Sequence, residues 1–313
     1  MKAAVITSFS MPPRYTEFAE PVAASPAEMV VDVLAVGLHH VTRGKASGAH
    51  YSSAGSLPMI PGVDGVGRGS DGKLRYFGQA PDQLGTMAQR TVIRLDQSFV
   101  LPDGSDPVAV AAGMNPGMSA WLALRCRAPF QPGQKVLIIG ATGSSGSMAV
   151  QIAKHMGAAQ IIAVGRDTRK LATLSALGAT HAVSMDNPAL GALANEVDVV
   201  LDYVWGESSV RLMEQLLKQR ANRGQKLSWV QIGSMGGDVA GIPGAFLRSA
   251  NLNILGSGIG SLSMRQIVAE LPALIQEVAL GTFRIEARAV PLSEIEQVWT
   301  EPAQSSARIV FTP

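Results

Sequence analysis

The rhythm of apolar and polar positions changes twice along the chain. Up to about residue 113, short apolar runs are cut at close intervals by glycine and proline. Positions 29–36, 62–67 and 89–93 read as strands, with a Gly/Ser/Pro-rich stretch over 44–61. That texture predicts a mostly β domain with few helices. The opening 1–6 reads as a strand as well, because Thr7-Ser8 and Pro12-Pro13 end it too early for a secretory leader. Past Pro107 the period lengthens, and 108–114 and 119–126 are predicted as two helices. From Lys135 onward, apolar runs at 136–139, 161–164, 182–183, 197–203, 229–232 and 253–255 alternate with helical segments at 147–155, 168–177 and 210–220. Strands of continuous apolar residues separated by helices indicate a parallel, doubly wound α/β sheet, covered on both faces. A helix over 264–280 and strand-like runs at 287–290 and 307–311 close the chain. They are expected to return to the β domain, which makes the α/β sheet an insertion.

The first apolar strand of that sheet runs into Gly140-Ala141-Thr142-Gly143-Ser144-Ser145-Gly146 and then into a helix. This is a variant of the Rossmann dinucleotide fingerprint with Ala141 in place of the first glycine. Gly143 lets the backbone approach a pyrophosphate, and Gly146 lets helix and strand pack closely. The helix start adds free N–H groups for the phosphates, with Ala141, Thr142, Gly143, Ser144, Ser145 and Gly146 as the candidate cradle. The second strand ends in Val164-Gly165-Arg166, where an NAD enzyme carries Asp or Glu for the ribose 2′-hydroxyl. Gly165 removes that carboxylate, and Arg166, with Lys170 nearby, offers charge to a 2′-phosphate. The cofactor indicated is NADPH. Asp167 is expected to point away from it.

Composition narrows the picture. At 313 residues the chain exceeds a single core, so two domains are expected, and 47% hydrophobic against 16% charged residues excludes disorder. A net charge of +2 and a basic run at 218–226 without interleaved aromatics point to no nucleic-acid or membrane partner. No run approaches the length of a membrane span, and the location expected is cytoplasmic. The single cysteine, Cys126, excludes intrachain disulfides and any cysteine-built zinc site.

With these motifs, the chain resembles the medium-chain dehydrogenase/reductase superfamily, and within it the zinc-free quinone oxidoreductases. The likeness runs from Met1-Lys2-Ala3-Ala4 through Val36-Gly37-Leu38, Pro61-Gly62-Val63-Asp64-Gly65-Val66-Gly67, Gly117-Met118-Ser119-Ala120-Trp121, 132–138, Val199-Val200-Leu201-Asp202 and Pro291-Leu292-Ser293-Glu294-Ile295. It implies a Rossmann domain over 118–257 inserted into a GroES-like, mostly β catalytic domain formed by 1–117 and 258–313. It also implies a homodimer joined at the edge strand 253–255. Where zinc relatives place Cys, His and Cys ligands, this chain has His39, Val63 and Asn115, a set that cannot bind the metal. His39 and His40, read as neighbours on a strand, face opposite ways and make no metal pair. The resemblance places Asn115, Met118 and Ser119 on one side of the nicotinamide. On the other it places Ile232, Gly233 and Ser234 after the fifth strand and Ser257 and Gly258 after the sixth, with Arg308 as a further basic contact.

Without a metal the chemistry is positioning: hydride goes to an acceptor whose conjugation spreads the developing charge, a quinone or an α,β-unsaturated carbonyl. Candidate hydrogen-bond donors are Tyr51, His39 and His40, and Tyr203 stands at the carboxyl end of the fourth strand, where ligands gather. Two alternatives stay open: a reductase of other activated alkenes such as enoyl thioesters, and a non-catalytic NADPH-binding sensor or structural protein.

Overall fold

The computed structural model describes residues 1–53, 56–78, 84–301 and 307–313. Its contacts divide the chain into two units, one formed by Met1–Asn115 with Pro272–Pro313 and the other by Pro116–Leu271.

In the first unit β1 (Lys2–Val5) pairs antiparallel with β2 (Arg14–Glu17). The long β3 (Glu28–Gly37) alternates as its sequence suggests: Val31, Val33 and Ala35 are buried while Asp32 is exposed. It leads into α1 (His40–Ala46), followed by β4 (Asp64–Gly69), β5 (Leu74–Gly78), β6 (Arg90–Arg94) and β7 (Ser98–Val100). β3 pairs antiparallel with both β4 and β6. The core between these strands is built on Val33, Ile60, Phe77, Met87, Ile93 and Phe311.

Next comes α2 (Pro107–Leu122), one continuous helix where the sequence suggested two. Pro116 lacks the N–H of an i→i−4 bond, a feature that tends to break a helix. Burial carries the helix through, since Ala111, Ala112, Met114, Ala120 and Trp121 are all enclosed. The helix then closes in a π-turn over Ala123–Arg127.

The second unit is the doubly wound sheet. In order come β8 (Lys135–Ile139), α3 (Ser144–His155), β9 (Gln160–Gly165), α4 (Thr168–Leu177), β10 (His181–Ser184), α5 (Leu190–Leu193), β11 (Val199–Asp202), α6 (Gly206–Gln219), β12 (Leu227–Gln231), α7 (Gly244–Ser249) and β13 (Leu252–Gly256). All pairings are parallel, in the spatial order β10-β9-β8-β11-β12-β13. That order reverses direction between β8 and β11, which places the ligand crevice at the carboxyl ends of these strands. Val136, Leu137, Ile138 and Ile139 are fully enclosed, the burial on both faces that their unbroken apolar run requires.

α8 (Met264–Ala279) carries the chain back, and β14 (Ala287–Pro291), α9 (Ile295–Val298) and β15 (Arg308–Thr312) complete the first unit. β15 joins the sheet antiparallel to β3, with Val310 opposite Gly37. The return falls inside α8 at Leu271/Pro272, where the sequence suggested 258. Arg127 donates to the carbonyls of Gly256 and Ser261, and Trp121 donates to Glu270 at 3.0 Å.

Candidate functional site

The turn after β8 fits the phosphates of a dinucleotide. Gly140 adopts φ +87°, so the tight bend expected of position 141 is made one residue earlier. Gly140 and Ala141 both donate their N–H to Val164 O at 2.9 Å, which hooks the turn to the end of β9. A Cβ on Gly146 would lie 2.2 Å from Gly140 O, so α3 can approach the turn this closely only without a side chain there. The cap residue of α3, Gly143, offers no side chain, and no acidic residue stands in the helix's first turn. Its first N–H groups and its positive end are thereby left for an anion. A side chain on Gly143 would meet only Gly140 O at 3.5 Å, so the cradle side of the turn is open.

The start of α4 is built the other way. Asp167 caps it, accepting from the N–H groups of Arg169 and Lys170 at 3.0 and 3.1 Å. The Asp167 carboxylate, two residues past β9, is thus turned into its own helix. Arg166 is exposed at the end of β9 and makes no ion pair among the described residues, while Lys170 is half-buried on α4. These residues fit a 2′-phosphorylated cofactor.

Further along the same edge, β11 ends in Asp202, whose buried carboxylate is fully used. One oxygen accepts from Val204 and Trp205 N–H, each at 2.9 Å, and the other from Trp229 Nε1 at 2.9 Å. This clamp holds Trp205 at φ 56°, ψ −164°, a region otherwise glycine's, at a cost of order 1–3 kcal/mol. The backbone carbonyl of Asp202 accepts from Ile232 and Gly233 N–H, and a Cβ on Gly233 would meet Tyr203 O at 2.9 Å. The structure thereby brings Tyr203 against Ile232, Gly233 and Ser234. Ser257 follows at the next strand, its N–H bonded to Gln231 O, with Gly258 beside it. Ser119 also joins this group. Its hydroxyl donates to Pro116 O at 2.7 Å, so in its 3.1 Å contact with the Tyr203 phenol the tyrosine must donate. Burial pushes the Tyr203 phenol far above its ordinary range. It is a fixed neutral donor, not an acid. Met118, on the same helix, is half-buried.

The remaining candidates lie in the first unit, where the structure corrects the sequence reading of His39. The two histidines are not strand neighbours. His39 precedes α1 as its cap residue and His40 is the first residue of that helix. Room for the His39 ring is made by Gly37, where a Cβ would lie 2.3 Å from His39 Cε1. The ring is enclosed, with Nε2 2.7 Å from Asp64 Oδ1 and Nδ1 receiving a short hydrogen bond from Arg308. A guanidinium only donates, so Nδ1 carries the lone pair and Nε2 carries the proton given to Asp64. Burial holds the imidazole below the ordinary histidine range, with the Asp64 carboxylate opposing and Arg308 reinforcing that effect. Both ring nitrogens of His39 are thus engaged, one with Asp64 and the other with Arg308. Asp64 also accepts from the Tyr76 phenol at 2.8 Å, and burial followed by that carboxylate raises the phenol well above its usual value. Burial draws the Arg308 guanidinium down to about 10, opposed by Asp64, so it stays charged at neutral pH.

Sequence reasoning missed Asp64 and Tyr76. They meet because β4 and β5 pair with Asp64 opposite Gly78 and Val66 opposite Tyr76, a diagonal contact no local pattern announces. His40 and Tyr51 are exposed, and Tyr51 stacks on His50 with ring centroids 4.2 Å apart. Asn115 is half-buried on α2 and Val63 lies beside Asp64.

A doubly wound sheet with an open phosphate cradle, carried by a chain whose two ends build a separate β unit, defines a two-domain nicotinamide-dependent oxidoreductase. Comparison with known proteins makes this narrower. A family model described as zinc-binding dehydrogenase matches residues 146–279. A probable NADPH-dependent quinone reductase of Emericella nidulans, tdiC, is 28% identical over the full length of both chains. An NADPH-dependent alkenal/one oxidoreductase of Arabidopsis thaliana is 26% identical over 56% of this chain and 50% of its own. The quinone oxidoreductase of Thermus thermophilus, solved alone and with NADPH, superposes with a TM-score of 0.84 at 28% identity over the whole of both chains. The Escherichia coli quinone oxidoreductase has the same fold, with a TM-score of 0.84 at 20% identity. Along its whole length the chain is similar, in sequence and in fold, to NADPH-linked quinone oxidoreductases.

Proposed function

We propose that the chain is an NADPH-dependent reductase of quinones and α,β-unsaturated carbonyls that works without a metal ion. The observation that carries the reading is the end of β9: Gly165 bears no carboxylate, Asp167 is spent as a helix cap, and Arg166 stands exposed. A phosphate on the ribose finds a cation there, with the Asp167 carboxylate held by its own helix. The relatives whose names specify quinones or alkenals with NADPH support the same assignment.

The bound nicotinamide supplies hydride, and the protein supplies position. The first turn of α3 would hold the phosphates, and Tyr203, Gly233 and Ser257 would line the strand ends beyond it. A conjugated acceptor delocalises the negative charge that hydride transfer creates, so no Lewis acid is needed at the carbonyl. Valine at position 63 offers no metal ligand, and the nitrogens of His39 are both engaged. Tyr51 and His40 are assigned as the donors to substrate oxygen, since His39 is committed to its bridge and Tyr203 to Ser119. Arg308, Asn115 and Met118 are assigned to the cofactor. The protein acts in the cytoplasm as a homodimer joined along β13.

The test is a panel of quinones, enones and enoyl thioesters followed by loss of NADPH absorbance. Steady turnover of quinones or enones is expected. Preference for thioesters would move the substrate class, and absence of turnover across the panel would leave a cofactor-binding protein in its place.

A further inference from the structure

The glycine at position 165 is not an empty space. A Cβ built there would lie 2.6 Å from Thr142 Cγ2, 2.9 Å from its Oγ1 and 3.3 Å from its Cβ. Both heavy γ atoms of Thr142 therefore face the position a side chain at 165 would take. Threonine fills two of the three staggered positions on Cβ, so every rotamer leaves a heavy atom in at least one of these two. The backbone cannot retreat either. Gly140 and Ala141 are bonded to Val164 O, and Gly146 packs without a side chain against the carbonyl of Gly140. On the other side β9 is held by β10, with Gly165 opposite Ser184 and its carbonyl accepting from Met185 N–H.

We infer that Thr142 is a specificity-determining residue: its branched side chain occupies the space into which a ribose-binding carboxylate at 165 would project, and so commits the site to the 2′-phosphorylated cofactor. This rests on the NADPH reading and deepens it, because selectivity then resides in a pair of residues, one on each strand end. Arg166 attracts the phosphate. Thr142 closes the route by which a single substitution at 165 would admit NADH. Serine at 142 opens that route, since its one γ oxygen can take the staggered position turned away from 165.

The test compares wild type, Thr142→Ser, Gly165→Asp and the double variant by melting temperature and by direct titration of NADPH and NADH. Gly165→Asp is expected to melt roughly 3–10 °C lower and to bind both cofactors weakly, as overpacking at a fixed turn demands. Adding Thr142→Ser should recover most of the melting temperature. It should also raise NADH affinity at least about tenfold over Gly165→Asp, while NADPH stays weak because the new carboxylate repels its phosphate. Gly165→Ala adds the Cβ alone and reads the steric half if the aspartate variant does not fold: its loss of melting temperature should shrink in the Thr142→Ser background. A Gly165→Asp variant as stable and as competent for NADH as the double overturns the role of Thr142. Wild-type preference for NADH overturns the cofactor reading beneath it, and is visible before any variant is made.

Discussion

Replacing His39 separates a bridging histidine from a catalytic one. In the enclosed row Tyr76–Asp64–His39–Arg308, the neutral imidazole joins a buried carboxylate to a buried guanidinium. His39→Leu removes both hydrogen bonds and leaves two charges facing a hydrocarbon, a change expected to cost about 3–5 kcal/mol. His39→Gln keeps a carbonyl to accept from Arg308 and an amide to donate to Asp64, and should cost only about 1 kcal/mol. Acid provides a second reading. Because burial depresses this histidine, the unfolded chain takes up a proton at position 39 below its ordinary pKa of 6.5 while the folded chain refuses it. The stability due to neutral His39 is thus complete above pH 6.5 and declines as the pH falls below it, by up to about 1.4 kcal/mol per pH unit for one proton.

The assay is urea unfolding of wild type and both variants from pH 5 to 8. Partial loss of solvent around their rings also holds His40 and His50 below the ordinary range, so a residual slope remains in the variants. The difference between wild type and His39→Gln isolates position 39. Leucine and glutamine variants of equal stability, or a glutamine variant with the full wild-type slope, would refute the bridge. A catalytic donor at 39 would instead show as lost kcat with unchanged stability.

Arg166→Ala should weaken NADPH by about 10- to 100-fold and NADH by less than about threefold, measured as apparent affinity, since one charge-assisted hydrogen bond contributes roughly 1.5–3 kcal/mol; equal losses would assign Arg166 to general binding. The purified protein should hold no stoichiometric zinc and should keep its activity through prolonged chelation, and elemental analysis finding about one zinc per chain would end the metal-free mechanism. Among the described residues β13 pairs only with β12, and exposed Met235, Val239, Leu247 and Ile259 lie in the same unit. Light scattering at micromolar concentration should therefore give a dimer, and a monomer would count against pairing at that edge.

What the sequence made legible was whatever its local pattern carries. Continuous apolar runs announced strands covered on both faces, and the spacing of Gly143 and Gly146 announced the close turn between β8 and α3. What it hid depends on partners distant along the chain or on forces that override propensity. Proline at 116 reads as a helix stop, yet α2 runs through it because its neighbours are enclosed. Tryptophan is among the last residues expected at positive φ, and Trp205 adopts it because Asp202, three residues back, spends a carboxylate oxygen on the turn. His39 and His40 look equivalent as letters. They part because Gly37 leaves a gap that only the first ring enters, where Asp64, 25 positions away, and Arg308, 269 positions away, fix its proton. The same reasoning governs position 165. An absent side chain reads in sequence as vacant space, and in the structure that space belongs to Thr142. The identity of a residue at a cofactor site therefore states what is permitted there only once the neighbour that fills its volume is known.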